Sequence, residues 1–205
     1  MIPTRIMTTL LVGYLATPSI ATAAQGSAEL MTAQESATLD LKAAGDVAPQ
    51  LGFFARNRIT NDYGRATTMF GLTDLAYTLL PDFALVAEVQ FLPATQPVPR
   101  AGAQYTSQRG DWSIYVLLTA AIQTEFNLEA VTAVQYQPTL NNELKLLTEV
   151  ENGTNVSDRK HNFSVQRLRA GLTLDKYQAG VASDILETGN EVDPNLGLFF
   201  RVRYF

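Results

Sequence analysis

The chain has 205 residues, a formal net charge of −5 and no cysteine, and its pI is near 4.9. The missing thiols exclude a disulfide framework, thiolate metal sites and a cysteine nucleophile, and the acidic balance excludes nucleic acid as a partner. The length suits one domain; a mean hydropathy of +0.01 is too low for a bundle of membrane helices but fits a chain that averages an apolar outside with a polar inside.

At the start, Arg5 supplies a short positive region, residues 6–20 are mostly apolar, and Ala21, Thr22 and Ala23 offer an A-x-A cleavage site. This reads as an export signal over residues 1–23. Gly13 and Pro18 interrupt the run, which is shorter than the roughly 20 apolar residues that a spanning helix needs. No later stretch approaches about 18 uninterrupted apolar residues, so no transmembrane helix is expected. Residues 24–48 are rich in Ala, Ser, Thr and Gln. They read as a lead-in segment with a short helix at 30–36, a plug inside the main body being the alternative.

From Pro49 the pattern changes to strands separated by turn signals. About ten are expected, at 51–60, 67–79, 83–92, 102–109, 112–121, 126–137, 143–151, 163–174, 177–186 and 196–205. Most match the roughly 9–11 residues that a tilted strand needs to cross hydrocarbon, and exceed the usual length of about 5–6 in globular sheets. Phe83, Leu85, Ala87, Val89 and Phe91 alternate with Glu88 and Gln90; Trp112, Ile114, Val116 and Leu118 alternate with Ser113, Tyr115 and Thr119. Segments 126–137, 143–151 and 177–186 show the same two faces. Each of these five strands therefore has one face for an apolar medium and one for a wet interior. In 163–174 the phase changes between Arg167 and Leu168, which predicts a β-bulge there; in 67–79 both faces are mixed, with Asp74 on one and Thr73 on the other.

The expected connections alternate in length. Those at 81–82, 110–111, 138–142 and 175–176 are short, and those at 61–66, 93–101, 122–125, 152–162 and 187–195 are mostly longer and polar. The last strand alternates Leu196, Leu198, Phe200, Val202 and Tyr204 against Arg201 and Arg203, and the chain ends at Phe205.

The export signal, the alternating strands and the terminal Tyr204 and Phe205 together resemble the bacterial (Gram-negative) outer-membrane β-barrel proteins over residues 49–205. The resemblance implies an all-β, closed antiparallel transmembrane barrel of about ten strands, located in the outer membrane. Both ends would lie in the periplasm, with residues 24–48 as a periplasmic lead-in, and the partners would be outer-membrane lipid and the barrel-assembly machinery. In this class the terminal aromatic residue, with apolar partners two, four and six residues upstream, serves as the assembly signal. Here that signal would be Tyr204 and Phe205, although Phe205 is in phase with Arg203 and Arg201, while Tyr204 keeps the apolar phase.

His161 is the single histidine. Known outer-membrane lipid hydrolases place His and Ser two residues apart on one strand face. Ser164 stands three after His161, which puts them on opposite faces. His161 therefore reads as a loop residue at the membrane rim, and no catalytic residue is assigned. One His and no Cys leave only carboxylates for a metal, so neither metal nor cofactor is expected.

By phase, Arg56, Arg58, Glu88, Glu129, Lys145, Glu149, Glu151, Asp184, Arg201 and Arg203 point into the lumen, with Arg167 or Arg169 joining them according to the bulge. If the first and last of ten strands are neighbours, Arg56 and Arg58 lie beside Arg201 and Arg203 as a basic wall, facing an acidic side of Glu88, Glu129, Glu149 and Glu151. Two arrangements fit: a narrow aqueous pore with a transverse field, or a lumen filled by salt bridges. Ten strands lie near the closed end of barrel sizes. The function expected is a non-enzymatic small barrel, giving limited passage to small solutes or serving as a structural membrane component. The alternative is an outer-membrane enzyme acting on lipid or lipopolysaccharide.

Overall fold

The computed structural model describes residues 25–64, 66–93, 95–158 and 160–204. They form twelve strands: β1 Gln25–Ala33, β2 Ser36–Ala48, β3 Leu51–Asp62, β4 Thr67–Leu80, β5 Phe83–Phe91, β6 Val98–Arg109, β7 Trp112–Ala121, β8 Asn127–Tyr136, β9 Leu144–Ser157, β10 Lys160–Leu174, β11 Tyr177–Thr188 and β12 Glu191–Tyr204. Each strand pairs antiparallel with its sequence neighbours, and β1 pairs with β12 to close the barrel. Closure leaves no strand edge to pair elsewhere.

The barrel has twelve strands rather than ten because residues 25–48, expected as a lead-in with a short helix, form β1 and β2. Their outward faces carry mostly small residues, Ala28 and Thr32 on β1 and Ala37 and Ala43 on β2, while Met31 is buried on the inner face of β1. An apolar residue inside and small ones outside flatten the alternation. Thr38-Leu39-Asp40-Leu41-Lys42 is the one stretch where it survives. The expected export signal lies outside the described residues, as does Phe205.

Gln25 and Tyr204 lie at one end of the barrel, here the terminal end. At the opposite, far end the long connections expected at 152–162 and 187–195 are strand instead. β9 runs to Ser157 before β10 starts at Lys160, and β11 runs to Thr188 before β12 starts at Glu191. Asp158 and Gly189, at φ 43° and 62°, supply the positive φ that such tight hairpins need. These strand tops are polar on both faces, so they read as loop in the sequence. Conversely, the connection at 137–143 on the terminal end is among the longest, so long and short connections do not alternate strictly.

The bulge lies between His161 and Phe163, not between Arg167 and Leu168. The phase change in the sequence has another cause: Phe163 and Val165 are apolar residues that line the lumen. Both Arg167 and Arg169 therefore point inward.

Outside, the barrel presents Leu75, Leu85, Leu118, Val150, Leu172, Val181, Leu198 and Phe200, all exposed. Tyr77, Phe83, Tyr105, Trp112, Tyr177 and Tyr204 ring the terminal end, with Trp112 stacked on Tyr136 at 4.4 Å between ring centroids. An apolar belt bounded by aromatic residues suits hydrocarbon and its interface rather than water. Leu118→Arg, on the exposed apolar belt, is expected to destabilise the barrel by about 2–4 kcal/mol. Urea unfolding in lipid vesicles measures this, and an unchanged midpoint would remove that face from the hydrocarbon.

One close approach needs glycine. A Cβ on Gly102 of β6 would lie 1.8 Å from the Leu118 carbonyl oxygen of β7. Gly102→Ala should therefore force the two strands apart and cost about 1–3 kcal/mol, read in the same unfolding assay.

Candidate functional site

The lumen is where the chain places its charge. The inner face of each strand alternates with an outward apolar one, so burial of a charged group there requires a partner. The insertion of β1 and β2 between β12 and β3 supplies partners that a ten-strand arrangement lacks. Glu29 sits opposite Arg201 and Asp40 opposite Arg58 in the strand register. The expected basic wall is thus interrupted by carboxylates.

A connected network of ion pairs follows. Arg201 meets Glu29 at 2.5 Å and Glu149 at 2.7 Å. Arg169 meets Glu29 and Asp184, each at 2.8 Å. Asp184 also pairs with Arg58, whose Nη1 is 3.8 Å from Asp40. Asp40 pairs with Arg56, which reaches Glu151 on β9 at 2.7 Å. Glu151 also pairs with Arg167 and accepts from Lys42 at 3.4 Å. Because Arg56 and Arg58 start on β3 and end on carboxylates of β9 and β11, they cross the lumen as a ridge that divides it.

On one side of the ridge the lumen is filled. Met31, Leu147, Ala182 and Phe199 pack together, with Leu147 at 0% exposure. Arg169 and Arg201 sit over the Phe199 ring at 5.9 and 5.7 Å, so the apolar nucleus and the ion pairs form one body.

On the other side is a cavity of about 980 Å³. Its lining runs from Asp46 and Thr78 at the terminal end to Leu92 and Gln123 at the far end, all four exposed. Arg56, Arg58 and Arg167 border it on the ridge side; Asp74, Glu88 and Glu129 border it on β4, β5 and β8. Gln90 donates to Glu88 at 3.0 Å and to Glu129 at 2.9 Å, and Arg100 Nε is 3.5 Å from Glu88. Arg100 also donates to Asn127 at 2.7 Å and to Thr119 at 2.9 Å. Asn155 donates to Glu129 at 3.2 Å.

Of the sequence-predicted lumen residues, Arg56, Arg58, Glu149, Glu151, Asp184 and Arg201 belong to the ridge network, and Glu88 and Glu129 to the cavity wall. Lys145 and Arg203 line a smaller cavity of about 620 Å³ at the terminal mouth with Glu143 and Asp175. Sequence reasoning missed Glu29, Asp40 and Lys42, which lay in the supposed lead-in. It also missed Arg100 and Asn155, which lay in supposed loops. The Leu39–Leu41 alternation could have found Asp40 and Lys42; Asn155 carries no such signal, being polar among polar neighbours.

One pairing expected to be absent is present. The bulge before Phe163 changes the strand parity, so His161 Nε2 comes within 2.9 Å of Ser164 Oγ. Ser164 Oγ is also 3.0 Å from Thr154 Oγ1. Thr154 alternates with the cavity-lining Gly153 and Asn155, which places the pair on the outer wall of the β9–β10 hairpin.

No protein-family model matches the sequence, and no curated protein does. Solved structures do match in fold. The NanC porin superposes with a TM-score of 0.56 at 8% identity, over 89% of this chain and 100% of that one. The KdgM porin superposes with a TM-score of 0.52 at 8% identity, over 88% and 98%. A KdgM porin complex with disordered oligogalacturonate gives 0.53 at 9% identity, over 88% and 98%. At these identities the likeness carries the fold alone: the chain is a closed antiparallel β-barrel, similar in architecture to the barrels of these porins.

Proposed function

We propose that this protein is a small outer-membrane barrel that lets small solutes pass through one half of its lumen. The observation that carries this reading is the cavity whose lining extends to exposed residues at both ends, beside a half that side chains fill. The ridge keeps the passage narrow and rigid, so large solutes are excluded. The export signal expected from the sequence and the apolar belt support the outer membrane as its place, with outer-membrane lipid as its surroundings and the barrel-assembly machinery as its route there. KdgM porin has been solved with oligogalacturonate, an acidic sugar chain. In this cavity Asp74, Glu88 and Glu129 accompany the arginines, so the lining does not favour a purely anionic solute. Liposomes carrying the refolded protein should swell in pentose solutions and not in solutions of large oligosaccharides; absence of swelling in every sugar would overturn the proposal.

A second reading rests on His161 and Ser164. A serine within hydrogen-bond reach of an imidazole has the geometry for nucleophilic ester hydrolysis: Ser164 Oγ attacks the carbonyl, His161 accepts its proton and passes it to the alcohol as the ester C–O bond breaks, and water then cleaves the acyl-serine. On the outer wall the ester in reach would be that of a membrane lipid. A fluorophosphonate probe should then label Ser164 in the native protein and not in His161→Ala. An unlabelled wild-type protein would sink this reading.

A further inference from the structure

Buried polar atoms in native proteins almost always have a partner, and one without asks for an explanation. Among the described residues, four buried side-chain atoms have no hydrogen-bond partner: Asp74 Oδ2, Glu88 Oε2, Arg58 Nη1 and Arg167 Nε. All four residues line the same cavity. They are also sorted by sign. Asp74 and Glu88 are cross-strand partners on β4 and β5, each 2% exposed. Arg58 and Arg167 belong to the ridge on the cavity's other side. The remaining atoms of these groups are engaged, Arg58 with Asp184, Arg167 with Glu151, and Glu88 with Gln90 and Arg100, while Arg58 Nη1 itself has only the 3.8 Å ion-pair contact with Asp40.

We infer that the passage selects zwitterionic solutes, small molecules with an ammonium group at one end and a carboxylate at the other. This inference rests on the pore reading and names its solute class. The ammonium approaches the Asp74 and Glu88 carboxylates and the carboxylate approaches the Arg58 and Arg167 guanidiniums, each side chain turning its buried, partnerless atom toward the cavity to bond the solute. Two adjacent carboxylates repel one another across β4 and β5, and an ammonium group between them relieves that repulsion. A purely anionic solute meets the same two carboxylates as a barrier, and a purely cationic one meets the ridge. A neutral polyol can hydrogen-bond the same groups but brings no opposite charge to either wall, so it leaves the repulsion between Asp74 and Glu88 in place. The cavity's discrimination therefore follows from both signs being present and incompletely partnered.

The test is swelling of liposomes that hold the full-length refolded barrel, with a heat-shift gel confirming that each variant has folded. The probes are the series of ω-amino acids from glycine to 6-aminohexanoate, each compared with a neutral polyol of similar size. Zwitterions carry no net charge, so their entry sets up no opposing potential. At least one length in the series should enter about tenfold faster than its polyol, which corresponds to roughly 1.4 kcal/mol. In folded Asp74→Asn/Glu88→Gln that ratio should fall to about one. Equal entry of zwitterion and polyol at every length would overturn the inference and leave the pore standing. The same holds for preference for a single ionic sign, read from the reversal potential in a salt gradient. If no solute enters at all, the pore reading itself fails and the inference with it.

Discussion

A chain lacking residues 25–48 is expected to form no closed barrel. Without β1 and β2 the strands left to meet are β3 and β12, whose inward residues are Arg56 and Arg58 on one side and Arg201 and Arg203 on the other. Like charges directly across a strand pair are destabilising, and here they would lose their screening carboxylates as well. Arg169 and Arg201 would lose Glu29, and Arg56 and Arg58 would lose Asp40. A heat-shift gel on the refolded truncated chain reads this directly, with only the unfolded band expected. A compact, heat-modifiable ten-strand species would show instead that the segment is a dispensable lead-in.

The second large effect is expected at Glu151, where Arg56, Arg167 and Lys42 converge on one carboxylate whose side chain is 8% exposed. Glu151→Gln keeps the shape and removes the charge, leaving three cations around a neutral amide. Breaking a buried pair by removing one partner costs about 3–5 kcal/mol. Unfolding in urea with vesicles present should show a loss of that size. Adding Arg167→Gln should recover part of it, because the Arg167 guanidinium then no longer sits unpaired beside Arg56. A loss below about 1 kcal/mol would fall in the range of solvent-exposed pairs and would contradict a ridge that holds the lumen together.

Much of the barrel wall is legible in the sequence, for a physical reason. On β5, β7 and β8 large apolar residues recur on the outward face and the charged and amide residues lie inward, so their sequence-predicted bounds of 83–92, 112–121 and 126–137 lie within one residue of the strands found. β1 and β2 escape because small outward residues (Ala28, Thr32, Ala37 and Ala43) flank the outward Leu30, Leu39 and Leu41 while Met31 points inward, which cuts the alternation short. The tops of β9 to β12 escape because a strand with two wet faces has no alternation to read. That same polarity hides Asn155, whereas Arg100 is hidden by the prolines at 93, 97 and 99, which read as a connection.

The charge pairing was less legible than the charges themselves. Phase alone puts Arg56, Glu151 and Arg201 inside, but which carboxylate meets which arginine depends on strand number and closure. Two strands too few turn an alternating ring into a basic wall. His161 and Ser164 fail for a similar reason: a single bulge inverts the parity on which the sequence argument depends.

The central claim is that one half of the lumen conducts and the other is filled, and single-channel recording in a planar bilayer tests it most directly. The refolded protein should give small discrete current steps. Ala133→Trp, on the cavity wall, should abolish or sharply reduce them, while Ala33→Val, packed against the filled half, should leave them unchanged. Steps indifferent to Ala133→Trp, or a folded barrel with no steps at all, would contradict the divided lumen as a passage.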